Sequence, residues 1–168
     1  MKKPLIPQET IEQKIILVRG HRVMLDRDLS MLYGVTTGNL NKAVTRNSDR
    51  FPEDFMFRLT KEEFNNLIFH FGRSSWGGTR KPPRVFTEHG ILMLSSVLKS
   101  RRATQVNIQI MRTFVKLRRM LTSHKELLKK IENMEKRYDS QFKIVFEAIR
   151  KLMVPPEKSK RRIGFYSD

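Results

Sequence analysis

Lys42, Thr45 and Arg46, flanked by Asn39 and Asn41, gather hydrogen-bonding and cationic side chains within eight residues, with no acid among them. Asparagine can pair in bidentate fashion with adenine and arginine with guanine, while lysine and threonine more often hold phosphate. The chemistry on offer is recognition of a duplex. The plainer reading of Asn39 and Asn41 is as turn-compatible residues facing solvent. A second set lies in residues 72–84, GRSSWGGTRKPPR, where Arg73, Arg80, Lys81 and Arg84 surround the only tryptophan, Trp76. An extended basic loop can follow the backbone or a minor groove, and an aromatic can stack or wedge between bases. Trp76 could equally cap the core while the arginines stay solvated. Arg50 and Arg58 are placed to clamp phosphates nearby, or to pair with Glu53 or Asp54.

Sets that would make or break bonds are not found. The carboxylate pairs Asp26/Asp28, Glu53/Asp54 and Glu62/Glu63 fall at predicted helix or strand starts, where the helix dipole favours acids. His21, His70, His89 and His124 show no metal-ligand spacing, and His89 in TEHG suits a packed or capping role better than a general base. There is no Walker A motif and no G-x-S-x-G, and glycines 72, 77 and 78 make no nucleotide loop. The reading is therefore a non-enzyme without cofactor, metal or catalytic residue.

Composition agrees with a polyanion partner. The 168 residues hold 34 Lys and Arg against 17 Asp and Glu, a net charge of +17 and a pI near 10.6. Residues 1–122 carry 22 basic and 10 acidic side chains, a net of +12, so the excess does not sit in a basic tail. Nucleic acid is the commonest partner for such a surface. Zero cysteines exclude a disulfide framework and thiolate zinc, and fit a reducing compartment. No apolar run reaches the ~20 residues that cross a bilayer. The opening residues lack the apolar core of a secretory signal, so a cytoplasmic, nucleoid-associated protein without membrane contact is expected.

The elements that must position these residues follow from periodicity. Residues 26–47, DRDLSMLYGVTTGNLNKAVTRN, read as a helix-turn-helix. Leu29 and Leu32 share a face, Asp26 or Asp28 can cap the first helix, and Gly34 permits the left-handed turn. Val35 can plug the corner, and Thr36 or Thr37 can cap the second helix. On that helix Leu40, Ala43, Val44 and Asn47 fall on one side, while Gly38, Lys42, Thr45 and Arg46 point away. Residues 1–10, with Pro4 and Pro7, read as a loose arm. The runs at 15–18 and 23–25 suggest a hairpin around Gly20-His21. Phe55, Phe57 and Leu59 alternate as in a strand with one buried face. Thr60 and Glu63 make a capping box for a helix to about Phe69. Val85 and Phe86 resume a strand, and Thr87 caps a helix over 88–99.

From about 103 to 153 neither glycine nor proline occurs, which predicts one long helix or two stacked ones. Positions 117, 121, 124, 128, 131, 135, 138, 142, 145, 149 and 152 alternate spacings of four and three, and nine of these eleven are apolar. His124 and Glu135 interrupt them. Sustained heptads of this kind predict a coiled coil that makes a homodimer through residues 117–152, against the alternative of a helix folding back on its own domain. Pro155-Pro156 ends the helix, and a basic tail follows.

The run from IILVRGHRVMLD through LYGV, RNSDRFPEDF and FTEHGI, in that order, resembles the phage ORF-six N-terminal domain family over residues 9–121. That family occurs in antirepressor-like proteins of phages and bacteria and is related to the KilA-N domain. The resemblance implies an α+β DNA-binding domain and a role in gene regulation, without a target sequence. The expected organisation is this domain at 9–121, a coiled-coil helix at 122–153 and a flexible basic tail at 154–168. Four functions compete. A double-stranded DNA-binding transcriptional regulator leads, followed by an antirepressor that seizes a repressor protein through the coiled coil. An RNA-binding protein and a metal-dependent nuclease follow, the last disfavoured by the acid-poor core.

Overall fold

The computed structural model describes residues 5–71, 81–137 and 140–153. It is α+β: a small antiparallel sheet among helices, then a long C-terminal helix. By its internal contacts the chain divides into Met1–Leu117 and Arg118–Asp168.

The first unit opens with α1 (Gln8–Glu12), where a loose arm was expected. Ile11 is fully buried and Ile6 nearly so, and this burial anchors the segment despite Pro7 beside it. Strands β1 (Ile16–Val18) and β2 (His21–Leu25) form the expected hairpin, but its turn is Arg19-Gly20, one residue earlier than predicted. Both turn residues have positive φ, 51° and 77°, the requirement of a two-residue turn whose twist matches the strands. Next come α2 (Asp26–Tyr33), α3 (Thr37–Arg46), a 3₁₀ turn at Ser48–Arg50, β3 (Met56–Arg58) and α4 (Lys61–Phe71). Strand β4 (Arg84–Thr87) leads straight into α5 (Glu88–Val97).

The strand order is β1-β2-β4-β3, all antiparallel. Alternation along the strands sends Met24 and Phe86 to one face, and Val23, Leu25 and Val85 to the other. The first face meets the main core, built from Leu29, Leu32, Leu40, Val44, Ile91 and Leu94 with Val106, Ile110 and Phe114. The second meets Leu59 and Phe64, so α4 covers it. β3 is therefore not a strand with one buried side: Met56 packs on the main core and Phe57 on the second cluster.

The capping box at α4 forms as expected. Thr60 N donates to Glu63 Oε2 at 2.8 Å, and Glu63 N donates to Thr60 Oγ1 at 3.1 Å. Helix α6 (Arg101–Arg137) supplies Ala103, Val106 and Ile110 to the core. A buried polar link ties three helices: Tyr33 Oη donates to Asn107 Oδ1, and Asn107 Nδ2 donates to Ile91 O at 3.2 Å.

In the second unit, the remainder of α6 and α7 (Ser140–Met153) are the described elements. Among the described residues, no helix is long and apolar enough to cross a membrane.

Candidate nucleic-acid interface

Two short helices and a left-handed glycine present the first candidate set. Gly34, with φ 72°, ends α2, and its N–H and that of Val35 return to Met31 O and Ser30 O. A side chain here would be strained by the backbone and would also press on Arg102, whose Nε donates to Leu32 O at 3.1 Å. Val35 does not plug the corner; it is exposed, and the neighbouring Tyr33 is the residue that goes inward. Thr36 caps α3 by accepting from Asn39 N at 3.2 Å, and Thr37 Oγ1 lies 2.9 Å from Ser30 Oγ, stitching α3 to α2. Leu40 and Val44 are buried, while Gly38, Asn39, Lys42, Thr45 and Arg46 are exposed. The outward face of α3 is thus polar and cationic, without an acid.

Asp26 is the first residue of α2 rather than its N-cap, which is Leu25 without a side-chain bond, though Asp26 Oδ1 does take the first-turn amide of Arg27. This carboxylate also locks α3 in place. Its Oδ1 accepts from Arg27 N at 2.8 Å, and Oδ2 accepts from Asn41 Nδ2 at 2.9 Å and Arg84 N at 3.3 Å. Asp28, the other expected cap, pairs with Lys14 at 2.9 Å. Asn41 therefore turns its amide nitrogen toward the protein, and its Oδ1 is buried without a partner among the described residues.

Arg84 closes the arrangement from β4. One guanidinium nitrogen donates to Asn41 O and another to Thr45 Oγ1, both at 3.1 Å. Burial, then the charge of Arg58, hold its pKa below the usual arginine value, partly offset by Asp26. Arg58, Lys81 and Arg84 line a crevice of about 390 Å³ beside Thr37 and Asn41. The C-terminal end of the basic loop is thereby brought against α3. Arg58 donates to Pro82 O at 3.5 Å, and Arg50 reaches Ser96 Oγ at 3.2 Å rather than Glu53 or Asp54. Arg73, Trp76 and Arg80 lie outside the described residues.

The structure thus gathers Thr36, Thr37, Asn39, Asn41, Lys42, Thr45, Arg46, Arg58, Lys81 and Arg84 around α3, with Arg50 tied to α5. Sequence reasoning missed Asp26 as the residue that orients this group. Its signal is weak, since an acid at a helix start already has an explanation, and the partner on β4 is 58 residues away. His89 stacks on Phe55 with ring centroids 5.5 Å apart. Among the described residues no three His, Asp or Glu side chains gather as a metal site would require.

The family model of the ORF6N domain matches residues 13–97, which run from β1 to the end of α5 and include every gathered residue. Neither the curated proteins nor the solved structures give a match to the chain.

Proposed function

This chain belongs to the ORF6N domain family, a phage-type, antirepressor-like regulatory family, and on that premise we propose that it is a double-stranded DNA-binding transcriptional regulator. The observation that carries the proposal is the outward face of α3, cationic, free of acids and held rigidly by Asp26 and Arg84. In this reading α2 and α3 act as a helix-turn-helix, with Asn39, Lys42 and Arg46 entering the major groove. Arg58, Lys81 and Arg84 hold the flanking backbone, while Asn41 and Thr45 serve mainly to position α3 and Arg84. The protein acts by binding, not by catalysis, and resides on the nucleoid. Self-association through residues 117–152 supplies two reading heads, which favours paired half-sites.

Selection of bound sequences from a random duplex pool at physiological salt tests both binding and specificity. Lys42→Ala should weaken binding to all duplexes alike and reduce the salt slope by about one unit, the signature of a lost phosphate contact. A pool with no enrichment, or a Lys42→Ala variant that binds as the parent does, refutes the assignment. A second reading, capture of a repressor protein, is favoured by the exposed apolar side chains of the second unit, Leu121, Leu127 and Ile149 among them. A pull-down with phage repressors set beside the gel shift separates the two.

A further inference from the structure

Among the described residues nothing after Phe114 is buried: much of the apolar surface of the second unit is exposed, and the seam residues Leu128 and Ile131 are half-buried. Met120 is 58% exposed, Leu121 49%, Leu127 49% and Met134 45%. A soluble helix with such a stripe lacks a partner.

The residues beside the seam say which partner fits. With Leu121 and Leu128 at position a of the heptad, and His124 and Ile131 at position d, position g holds Met120, Leu127 and Met134. Position e holds Arg118, Lys125 and Glu132. One flank is apolar and the other charged. In a parallel pair g faces e, which sets Met120 against Lys125 and Leu127 against Glu132, with no ion pair formed. Seam positions 124 and 135 would each meet their own kind. In an antiparallel pair g faces g and e faces e, so apolar meets apolar and charge meets charge.

We infer that residues 122–137 pair antiparallel with the same segment of a second copy, about a two-fold axis passing between Lys129 and Lys130. In this register Leu128 packs on Ile131 of the second copy, Leu127 on its Met134, and Lys125 meets its Glu132. The two polar seam positions, 124 and 135, fall in one layer. Sliding the pair by one heptad sets Lys125 against its own copy in one direction and Glu132 against its own copy in the other. The first of these slips also brings Arg118 against Glu132, but each slip sets one like-charged pair in contact, and only the unslipped register pairs opposite signs alone. The inference rests on the self-association proposed above, confines it to residues 122–137 and adds its direction and register; the DNA-facing side of α3 plays no part in it.

Sedimentation of the full chain without DNA provides the test. Lys125→Glu should weaken self-association about tenfold, since by symmetry it turns two attractions into repulsions. Adding Glu132→Lys should restore the parent's association, because the pairs are re-formed with signs exchanged. Both positions are exposed, so the fold is not at stake. The chain has no cysteine, so Leu121→Cys reports on direction. An antiparallel pair holds the two introduced thiols about 17 residues apart, about 25 Å along the axis and beyond disulfide reach. Restoration by the charge exchange, without a disulfide at 121, bears the inference out. A dimer that the exchange does not restore, or that cross-links at 121, overturns the antiparallel register while self-association stands. A monomeric parent chain, or an assembly larger than two, overturns the pairing itself, and neither result bears on the Lys42 test of DNA binding.

Discussion

Gly90 has no room for a side chain. A Cβ built there would lie 2.0 Å from Phe55 O, a backbone atom that also accepts from Thr87 N at 3.0 Å and Thr87 Oγ1 at 3.2 Å. Three of the four TEHG positions are thereby explained: threonine caps α5 and pins the strand before it, histidine stacks on Phe55, and glycine admits the carbonyl. Gly90→Ala should cost about 3 kcal/mol, read as a lowered denaturation midpoint, because the clash is with backbone and cannot be relieved by a rotamer. Asp26 supports a sharper prediction, because two accounts of it differ in sign. It is an acid close to the helix proposed to face DNA, so electrostatics alone says that Asp26→Ala strengthens DNA binding. Its three hydrogen bonds say the opposite. Removing them leaves Asn41 Nδ2 and Arg84 N without their acceptor, should cost about 1–3 kcal/mol of stability, and loosens α3. Weaker duplex binding by this variant in a gel shift is the expected result; tighter binding would show that orientation of α3 is immaterial.

At the scale of elements, the hairpin and α4 are joined through one ion pair. Arg19 reaches Glu63 with two bonds, 2.7 and 2.9 Å, while its guanidinium sits 4.5 Å from the centre of the Phe57 ring. The bond from Arg19, then the bond from Thr60 N, lower the Glu63 pKa from 4.5 to about 2. A depressed folded-state value means that this contribution is complete above pH 4.5 and is lost as pH falls toward 2. Solvent screens the pair, so the effect is small. Arg19→Gly keeps the turn, since glycine accepts positive φ, and removes the guanidinium. Its thermal midpoint should therefore fall less steeply than the parent's between pH 4.5 and 2. The elements themselves were largely legible in the sequence. Gly34, the Thr60/Glu63 box and the Thr87 cap announce helix ends through local chemistry, and the polar side of α3 follows from spacing alone. What escaped was set by partners distant in the chain. Helix α1 exists because Ile11 is buried in a core made by later residues, and the two-sided cover of β3 depends on α4 lying across the sheet. The locking role of Asp26 depends on β4. Propensity and periodicity report on neighbours in sequence, and none of these contacts is of that kind.

For the whole molecule, the division at residue 117 separates where stability resides from where copies would meet. The core closes with Phe114, and no described residue beyond it is buried. Changing Ile131 and Ile149 together to Asp sets a charge at two seam positions without touching that core. The variant should sediment as a monomer, and the melting transition of the first unit should remain where it is. The net charge of +17 is lowered by only two, so attraction to any duplex should survive nearly intact. Binding to a single half-site should then change little. Binding to paired half-sites should fall further, because the second contact no longer benefits from a high effective concentration. Equal losses on single and paired sites would mean that the second unit contributes to DNA contact itself, and an unchanged mass would remove the seam as the dimer interface.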